Sequence, residues 1–294
     1  MKVALTGASG FLGAPCLKIL SERGHKVLAL SRSLEKQKFL PGVVWFCADL
    51  NVPESYRGAV SGFQPEAVLH LAWEGIPDFS LQNSLRNLES GALFAGFALE
   101  QGCRHFVVSG SCWEYGGGRG ALRETMPPIQ PGVFGAAKNA QHLVIRSLLE
   151  AAGTSMAWAR VFFPYGAGQK PASLVPTICR ALLAGETPRL RTPEARSDFL
   201  FLEDAAAALV LLLESGADGV FNVGSGESTS AGVVADTLLR AAGLPPVFAS
   251  AAPDLENGFF ADTAAIRALG WRTLVSLDEG LSRTWDWYKE GYQS

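Results

Sequence analysis

What this chain of 294 residues has little of bounds it first. There are four histidines, and none of His25, His70, His105 and His142 stands at ligand spacing from another or from a cysteine, so no metal site is expected. The five cysteines, at 16, 47, 103, 112 and 179, are odd in number and form no Cys-x-x-Cys pair. Most of them read as small buried hydrophobes in a reducing, cytoplasmic setting rather than as a disulfide framework. Charged residues make up 18% of the chain, the formal net charge is −3, and no basic run is present. Nucleic acid and a membrane surface are therefore not expected partners. No apolar stretch reaches the ~18 residues of a membrane span; the richest, LEDAAAALVLLLE at 202–214, is interrupted by acids. The opening MKVALTG is too poor in apolar residues for a signal peptide. Repeats, low-complexity tracts and long linkers are missing too. What is present is 48% hydrophobic residues, enough for a full core in one large α/β domain or a domain with a smaller lobe.

The first hundred residues carry a pattern. KVALT (2–6) is a short β-rich run, GASGFLG follows, a helical pattern runs to about Arg23, and GHKVLAL (24–30) is a second strand. Strand, glycine loop, helix, strand is a βαβ unit. Gly7 suits a tight turn, Gly10 close approach of backbone to a pyrophosphate, and Gly13 close packing of helix on strand. The helix N-terminus then offers amide donors to phosphates. An acid at the end of the second strand binds a ribose 2′-hydroxyl, whereas an arginine accommodates a 2′-phosphate. Here the strand ends in Ser31, Arg32 and Ser33, with no acid before Glu35, which favours NADP while leaving NAD open. Further strands read VVWFCADL (43–50) and AVLHLAW (67–73). Asp49 and Leu50 end one of them; Asp49 either meets an adenine amino group or starts a turn. Leu71 and Ala72 end the next, at the carboxyl edge where such sheets bind ligands. Residues 81–101 form an amphipathic helix.

RHFVVSGSCWEYGGG (104–118) is a buried strand running into a loop rich in hydroxyls and glycine, and PGVFGAAKN (131–139) opens the next helix. At this point the chain resembles the extended short-chain dehydrogenase/reductase family of nucleotide-sugar epimerases, dehydratases and reductases. TGASGFLG looks like its cofactor loop, ADL and LHLA like its adenine-side and nicotinamide-side strands, and SGSCWEYG like its serine strand. FGAAK stands where the family has Tyr-x-x-x-Lys. ARVFFPYGAG, RSDFLFLEDAAAAL, FNVGSGES and the closing DTAAIRALGW also have counterparts, so the resemblance covers nearly the whole chain. SCWEYG followed by WARVFFPYGAGQKPASLVP is most similar to reductases of the 4-keto group of nucleotide-linked 6-deoxy sugars.

The resemblance implies a Rossmann-type, doubly wound parallel sheet with a smaller C-terminal substrate-binding lobe. The cofactor domain would span 1–165 with 198–225 returning to it, and the lobe 166–197 and 226–294, with the sugar nucleotide in the crevice between them. Ser9, Phe11 and Leu12 in the loop, and Phe162 and Pro164 in the later turn, become cofactor contacts. Ser111 would hydrogen-bond the reacting sugar oxygen. A tyrosine would transfer the proton, and Lys138 would hold the nicotinamide ribose and lower the tyrosine pKa. Trp73 and Trp113 flank the implied sugar site and either stack on a ring or fill core, and Glu114 in the serine loop becomes a further substrate contact. Arg196 matches an arginine that grips the diphosphate; alternatively it pairs with Asp198 or Glu194 at the surface. The helices near 81–101 and 134–152, apolar on more than one face, would pair across a two-fold to form a homodimer.

Phe134 occupies the tyrosine's place and has no hydroxyl. General acid–base help is worth about 10²–10⁴-fold in rate, so the chain as written is expected to be a poor catalyst by the family route. Three accounts stand open: a deliberate replacement of tyrosine, a natural enzyme in which Tyr115, Glu114 or water supplies the proton, and a non-catalytic paralogue. Tyr115 recurs in active relatives in a mainly structural role, and Glu114 is otherwise a solvated loop acid. Cys112 and Trp113 stand where the family's dehydratases have Asp-Glu, which disfavours dehydration. Cys112 also has no histidine placed to activate it as a nucleophile. A 4-epimerase remains as the alternative to a reductase. Two departures weaken the nucleotide-sugar reading: Phe163 where many relatives have Asn, and Ala251 and Ala252 where many have a second Arg. Arg189, Arg191 or Lys170 could compensate.

Overall fold

A computed structural model describes residues 1–35, 37, 39–130, 132–248, 256 and 258–293. The chain divides into two compact units. Met1–Gly117, Met126–Val161 and Ala206–Val223 form the first; Gly118–Thr125, Phe162–Ala205 and Gly224–Ser294 form the second.

The first unit is built on short, almost continuously apolar strands, the signature of a sheet covered on both faces. These are β1 (Lys2–Thr6), β2 (Lys26–Ser31), β3 (Val43–Cys47), β4 (Ala67–His70), β5 (His105–Ser111), β6 (Ser155–Val161) and β7 (Gly219–Val223). Every neighbouring pair is parallel, in the order β7-β6-β5-β4-β1-β2-β3. Strand order reverses between β1 and β4, and in such sheets the crevice outside the strands' carboxyl ends at that point takes ligands. This is the α/β architecture the motifs imply. The strand expected over 43–50 stops at Cys47, because Asp49 and Asn51 turn the chain: Asn51 N donates to Asp49 Oδ1 at 2.9 Å.

Helices α1 (Gly13–Glu22), α2 (Glu54–Phe63), α3 (Leu81–Glu100) and α4 (Val133–Ala151) belong to the same unit. Ser80 caps α3, its hydroxyl accepting from Asn83 N at 3.3 Å. α3 and α4 come close because Gly91 has no side chain; a Cβ there would lie 2.3 Å from Gln141 Nε2. Tyr56, Phe94, Phe106, Ile145 and Trp158 fill the core between sheet and helices. Fully burying a side chain such as Phe or Ile contributes about 1.5–3 kcal/mol, so these rings fix the sheet that carries the loops at its edge.

In the second unit, helices Leu174–Leu183, Ala231–Ala241 and Leu277–Gln293 pack around Tyr165, Phe201, Leu238 and Trp285. The division departs from the expected one. Residues 118–125 fall in this unit because Gly120–Leu122 pairs in parallel with Phe259–Ala261. The first unit also stops at Val161 rather than at 165, and its returning segment begins at Ala206 rather than at 198. Asp198 ties this unit together: its buried carboxylate accepts from Ser225 N (2.6 Å), Gly226 N (2.9 Å) and Ala261 N (3.0 Å). No helix among the described residues is long and apolar enough to cross a membrane.

Candidate active site

Three glycines shape the loop after β1. Gly7 has φ +69°, a region L side chains rarely adopt, and a Cβ on it would lie 2.9 Å from Ala72 N. A Cβ on Gly13 would lie 2.0 Å from the carbonyl oxygen of Gly7, so the start of α1 rests directly on the loop. Gly10 differs: a Cβ there would meet only the Gly7 carbonyl, at 3.0 Å, and its outer side is otherwise open. Ser9 and Gly10 are exposed, and Phe11 and Leu12 are half-buried beside them. The result is a cradle of backbone at a helix N-terminus, which suits a phosphate.

Next to the cradle, at the ends of β2, β3 and β4, lie Ser31, Arg32, Asp49, Leu50, Leu71 and Ala72. Ala72 N donates to Thr6 Oγ1 at 3.2 Å, locking the end of β4 to β1. The buried Ser31 hydroxyl lies 2.8 Å from that of Ser9. Asp49 takes the turn role rather than standing free: its Oδ1 also accepts from Asn51 Nδ2 at 2.9 Å. Arg32 Nη1 donates to Glu74 Oε1 at 2.7 Å, so the arginine behind the NADP expectation already has an anionic partner.

The chemical end lies at β5 and α4. Lys138 Nζ donates to the Ser109 carbonyl at 2.7 Å and stands 4.0 Å from the ring centre of Trp73. Burial lowers its pKa from the usual 10.5 to about 7, with the Glu114 carboxylate pulling the other way. Ser111, two residues along the same face of β5 as Ser109, is half-buried and accepts from Trp113 N at 3.2 Å. One helical turn before Lys138, Phe134 is 9% exposed, its ring edge-on to Trp73 at 5.2 Å and tilted against Phe79 at 5.0 Å. Phe79 in turn lies 6.3 Å from the half-exposed Trp113. The structure thus gathers Ser111, Phe134, Lys138, Trp73 and Trp113 at one edge, and no hydroxyl occupies the 134 position. Trp73 Nε1 is buried there without a hydrogen-bond partner.

Glu114 needs correction both as a solvated loop acid and as a substrate contact. The 3₁₀ turn Cys112–Tyr115 folds its side chain inward, where it accepts from Ser111 N (2.7 Å), Trp158 Nε1 (3.0 Å) and Arg160 Nε (2.8 Å). Tyr115 is buried as well, its hydroxyl donating to Asn222 Oδ1 at 2.7 Å. Sequence reasoning passed over Arg160, although a lone cation inside the apolar strand SMAWARV demands a buried anion. It also passed over Glu74, an acid just past the carboxyl edge, and His70. His70 Nδ1 lies 2.8 Å from Thr6 Oγ1, and burial lowers the imidazole pKa to about 3, so it is neutral.

The remaining candidates lie in the second unit. Arg196 Nη1 donates to the Ser228 carbonyl at 3.1 Å, while Asp198, its suggested surface partner, is engaged inside. Phe162 is fully buried with its ring on Phe259 at 5.9 Å, so its side chain is core rather than cofactor contact. Pro164 is half-buried and pairs with Leu200. Ala251 and Ala252 lie outside the described residues.

A nicotinamide dinucleotide fits this chain: the Gly7–Gly13 cradle would take its pyrophosphate and Lys138, beside the orphaned Trp73 Nε1, its nicotinamide ribose. The sequence profile of the NAD dependent epimerase/dehydratase family matches residues 3–224. The chain belongs to that family. It is 26% identical to a UDP-glucose 4-epimerase of Mycolicibacterium smegmatis, over 100% of both chains. Among solved structures, the UDP-glucose 4-epimerase of Thermotoga maritima with UDP-glucose superposes with a TM-score of 0.87 at 23% identity, covering 99% of this chain and 100% of that one. The UDP-glucose 4-epimerase of Thermus thermophilus in complex with NAD gives 0.82 at 25% identity, covering 98% and 99%.

Proposed function

We propose that this chain binds a nicotinamide dinucleotide and acts by hydride transfer at the 4-position of a nucleotide-linked sugar, a reading supported by its similarity to UDP-glucose 4-epimerases. The observation that carries this reading is Lys138, buried and fixed to the Ser109 carbonyl, with Ser111 beside it at the sheet edge that also holds the glycine cradle. The bound dinucleotide would exchange the hydride. Ser111 would hydrogen-bond the sugar oxygen, and the Lys138 ammonium would hold the ribose and bring positive charge close by. Phe134 supplies ring packing and no proton, so proton transfer at that oxygen is the weak step.

A second reading, reduction of a 4-keto-6-deoxy nucleotide sugar, is favoured by Phe163. Its ring packs on Phe199 (6.1 Å) and Phe259 (6.0 Å), where many relatives carry a polar Asn. A homodimer through α3 and α4 belongs to the same reading, supported by the exposed Leu85, Leu93, Leu143 and Val144 on those helices. Location in the cytoplasm is likewise part of it.

The test compares this chain with Phe134→Tyr. Each is given NAD with UDP-glucose or UDP-galactose, and separately NADH or NADPH with 4-keto-6-deoxy nucleotide sugars. A gain of about a hundredfold or more in Phe134→Tyr, the scale of a general acid, supports hydride chemistry at this site, and the reacting substrate separates epimerase from reductase. Dinucleotide binding without turnover in either protein overturns it in favour of a binding role.

A further inference from the structure

We infer that Glu74 sets the cofactor preference of this chain, turning the end of β2 toward NAD although that strand ends in Arg32. This rests on the reading that the first unit binds a nicotinamide dinucleotide.

The placement is built rather than incidental. β2 and β4 lie on opposite sides of β1, so their axes are about 10 Å apart, twice the strand spacing. Arg32 is the first residue past β2, and Glu74 follows β4 by four residues. Their ion pair at 2.7 Å therefore spans the carboxyl end of β1, where the Gly7 loop begins. Glu74 is held on its backbone by α3. Its N–H donates to Asn87 Oδ1 at 2.6 Å, and its carbonyl accepts from Asn83 Nδ2 at 3.0 Å and Asn87 Nδ2 at 3.1 Å. Both asparagines are buried, 6% exposed. The second carboxylate oxygen accepts from Asn51 Nδ2 at 3.1 Å, just past β3. Glu74 thus brings to the end of β2, from the far side of β1, the carboxylate that β2 itself lacks.

The chemistry follows from charge. A 2′-phosphate carries about −1.5 to −2 at neutral pH and needs an uncommitted cation. The connection from 32 to 42 carries three cations: Lys36 and Lys38 lie outside the described residues, and Arg32, the one that directly follows β2, is committed to Glu74. A 2′-phosphate at Arg32 would have to displace the Glu74 carboxylate or lie against it. A 2′-hydroxyl brings no such charge and can donate to a carboxylate.

The experiment measures binding, not turnover. NAD and NADP are titrated by calorimetry, at one fixed salt concentration, into the wild-type chain, Glu74→Gln and the double variant Glu74→Gln/Arg32→Ala. Gln keeps the length of the side chain and can still accept from Asn51. We expect the wild type to favour NAD. Glu74→Gln should raise NADP affinity relative to NAD by about tenfold or more, the scale of one charge-assisted contact. The double variant should lose that gain. A wild type that favours NADP, or a ratio moving less than about threefold in Glu74→Gln, on that same scale, overturns the inference. If neither dinucleotide binds any of the three, the dinucleotide reading itself falls and takes the inference with it.

Discussion

Glu114 and Arg160 form an ion pair inside the first unit, with Arg160 Nε 2.8 Å from Glu114 Oε2 and side-chain exposures of 0% for the glutamate and 7% for the arginine. Trp158 Nε1 and Ser111 N share the same carboxylate, so one acid ties the serine turn to β6. Removing it takes the anion away from a buried guanidinium and an acceptor away from two N–H donors. Glu114→Ala should cost about 3–5 kcal/mol, the range for breaking one side of a buried pair. Urea unfolding with an unchanged m-value is the measurement; a loss below about 1 kcal/mol would place the pair among solvated ones.

Substitutions at two glycines should have opposite signs. In Gly13→Ala the new methyl meets the Gly7 carbonyl at 2.0 Å, so the loop must move. Stability should fall by about 1–3 kcal/mol, as in other overpacked sites, and dinucleotide binding should fall with it. Gly58, inside α2, has nothing within 4 Å of its would-be Cβ. Gly58→Ala should stabilise by about 0.5–1 kcal/mol and leave binding unchanged. Thermal melts with and without NAD check both.

Lys138 makes stability depend on pH in a predictable direction. Its folded pKa is about 7 against an ordinary 10.5, so between those values the unfolded chain binds more protons than the folded one. Stability from this group therefore rises as pH rises from about 7 toward 10.5, and below 7 the burial penalty of the ammonium stands in full. Lys138→Met removes the term. Its melting temperature relative to wild type should be highest at pH 6 and decline steadily toward pH 10. A constant difference over that range would mean the ammonium titrates normally.

Much of the fold was legible because its signals are local. Gly7, Gly10 and Gly13 between a strand and a helix specify a βαβ turn by sterics alone, and apolar runs such as KVALT mark strands covered on both faces. The edge cluster of Ser111, Phe134 and Lys138 was legible through resemblance, SGSCWEYG to the family's serine strand and FGAAK to its Tyr-x-x-x-Lys helix. What stayed hidden depends on pairing across the sheet. Nothing near Glu114 in sequence shows that Arg160 awaits it, and nothing near Arg32 shows that Glu74 reaches over β1. The ownership of 118–125 was equally invisible, since three residues, Gly120–Leu122, gain their partner only from 259–261.

The interleaving of the two units has a consequence during synthesis. The chain passes from one unit to the other five times, and β7 is the last strand of the central sheet to be made. β6 ends at Val161 and its outer neighbour is complete only at Val223, roughly sixty residues later. At ribosomal rates of about 5–20 residues per second, the apolar edge of β6 waits some 3–12 seconds for its partner. Open strand edges of that kind recruit other chains. The vulnerable moment of this protein is therefore a nascent one, and slowing translation between codons 161 and 223 should lower soluble yield without altering a single residue.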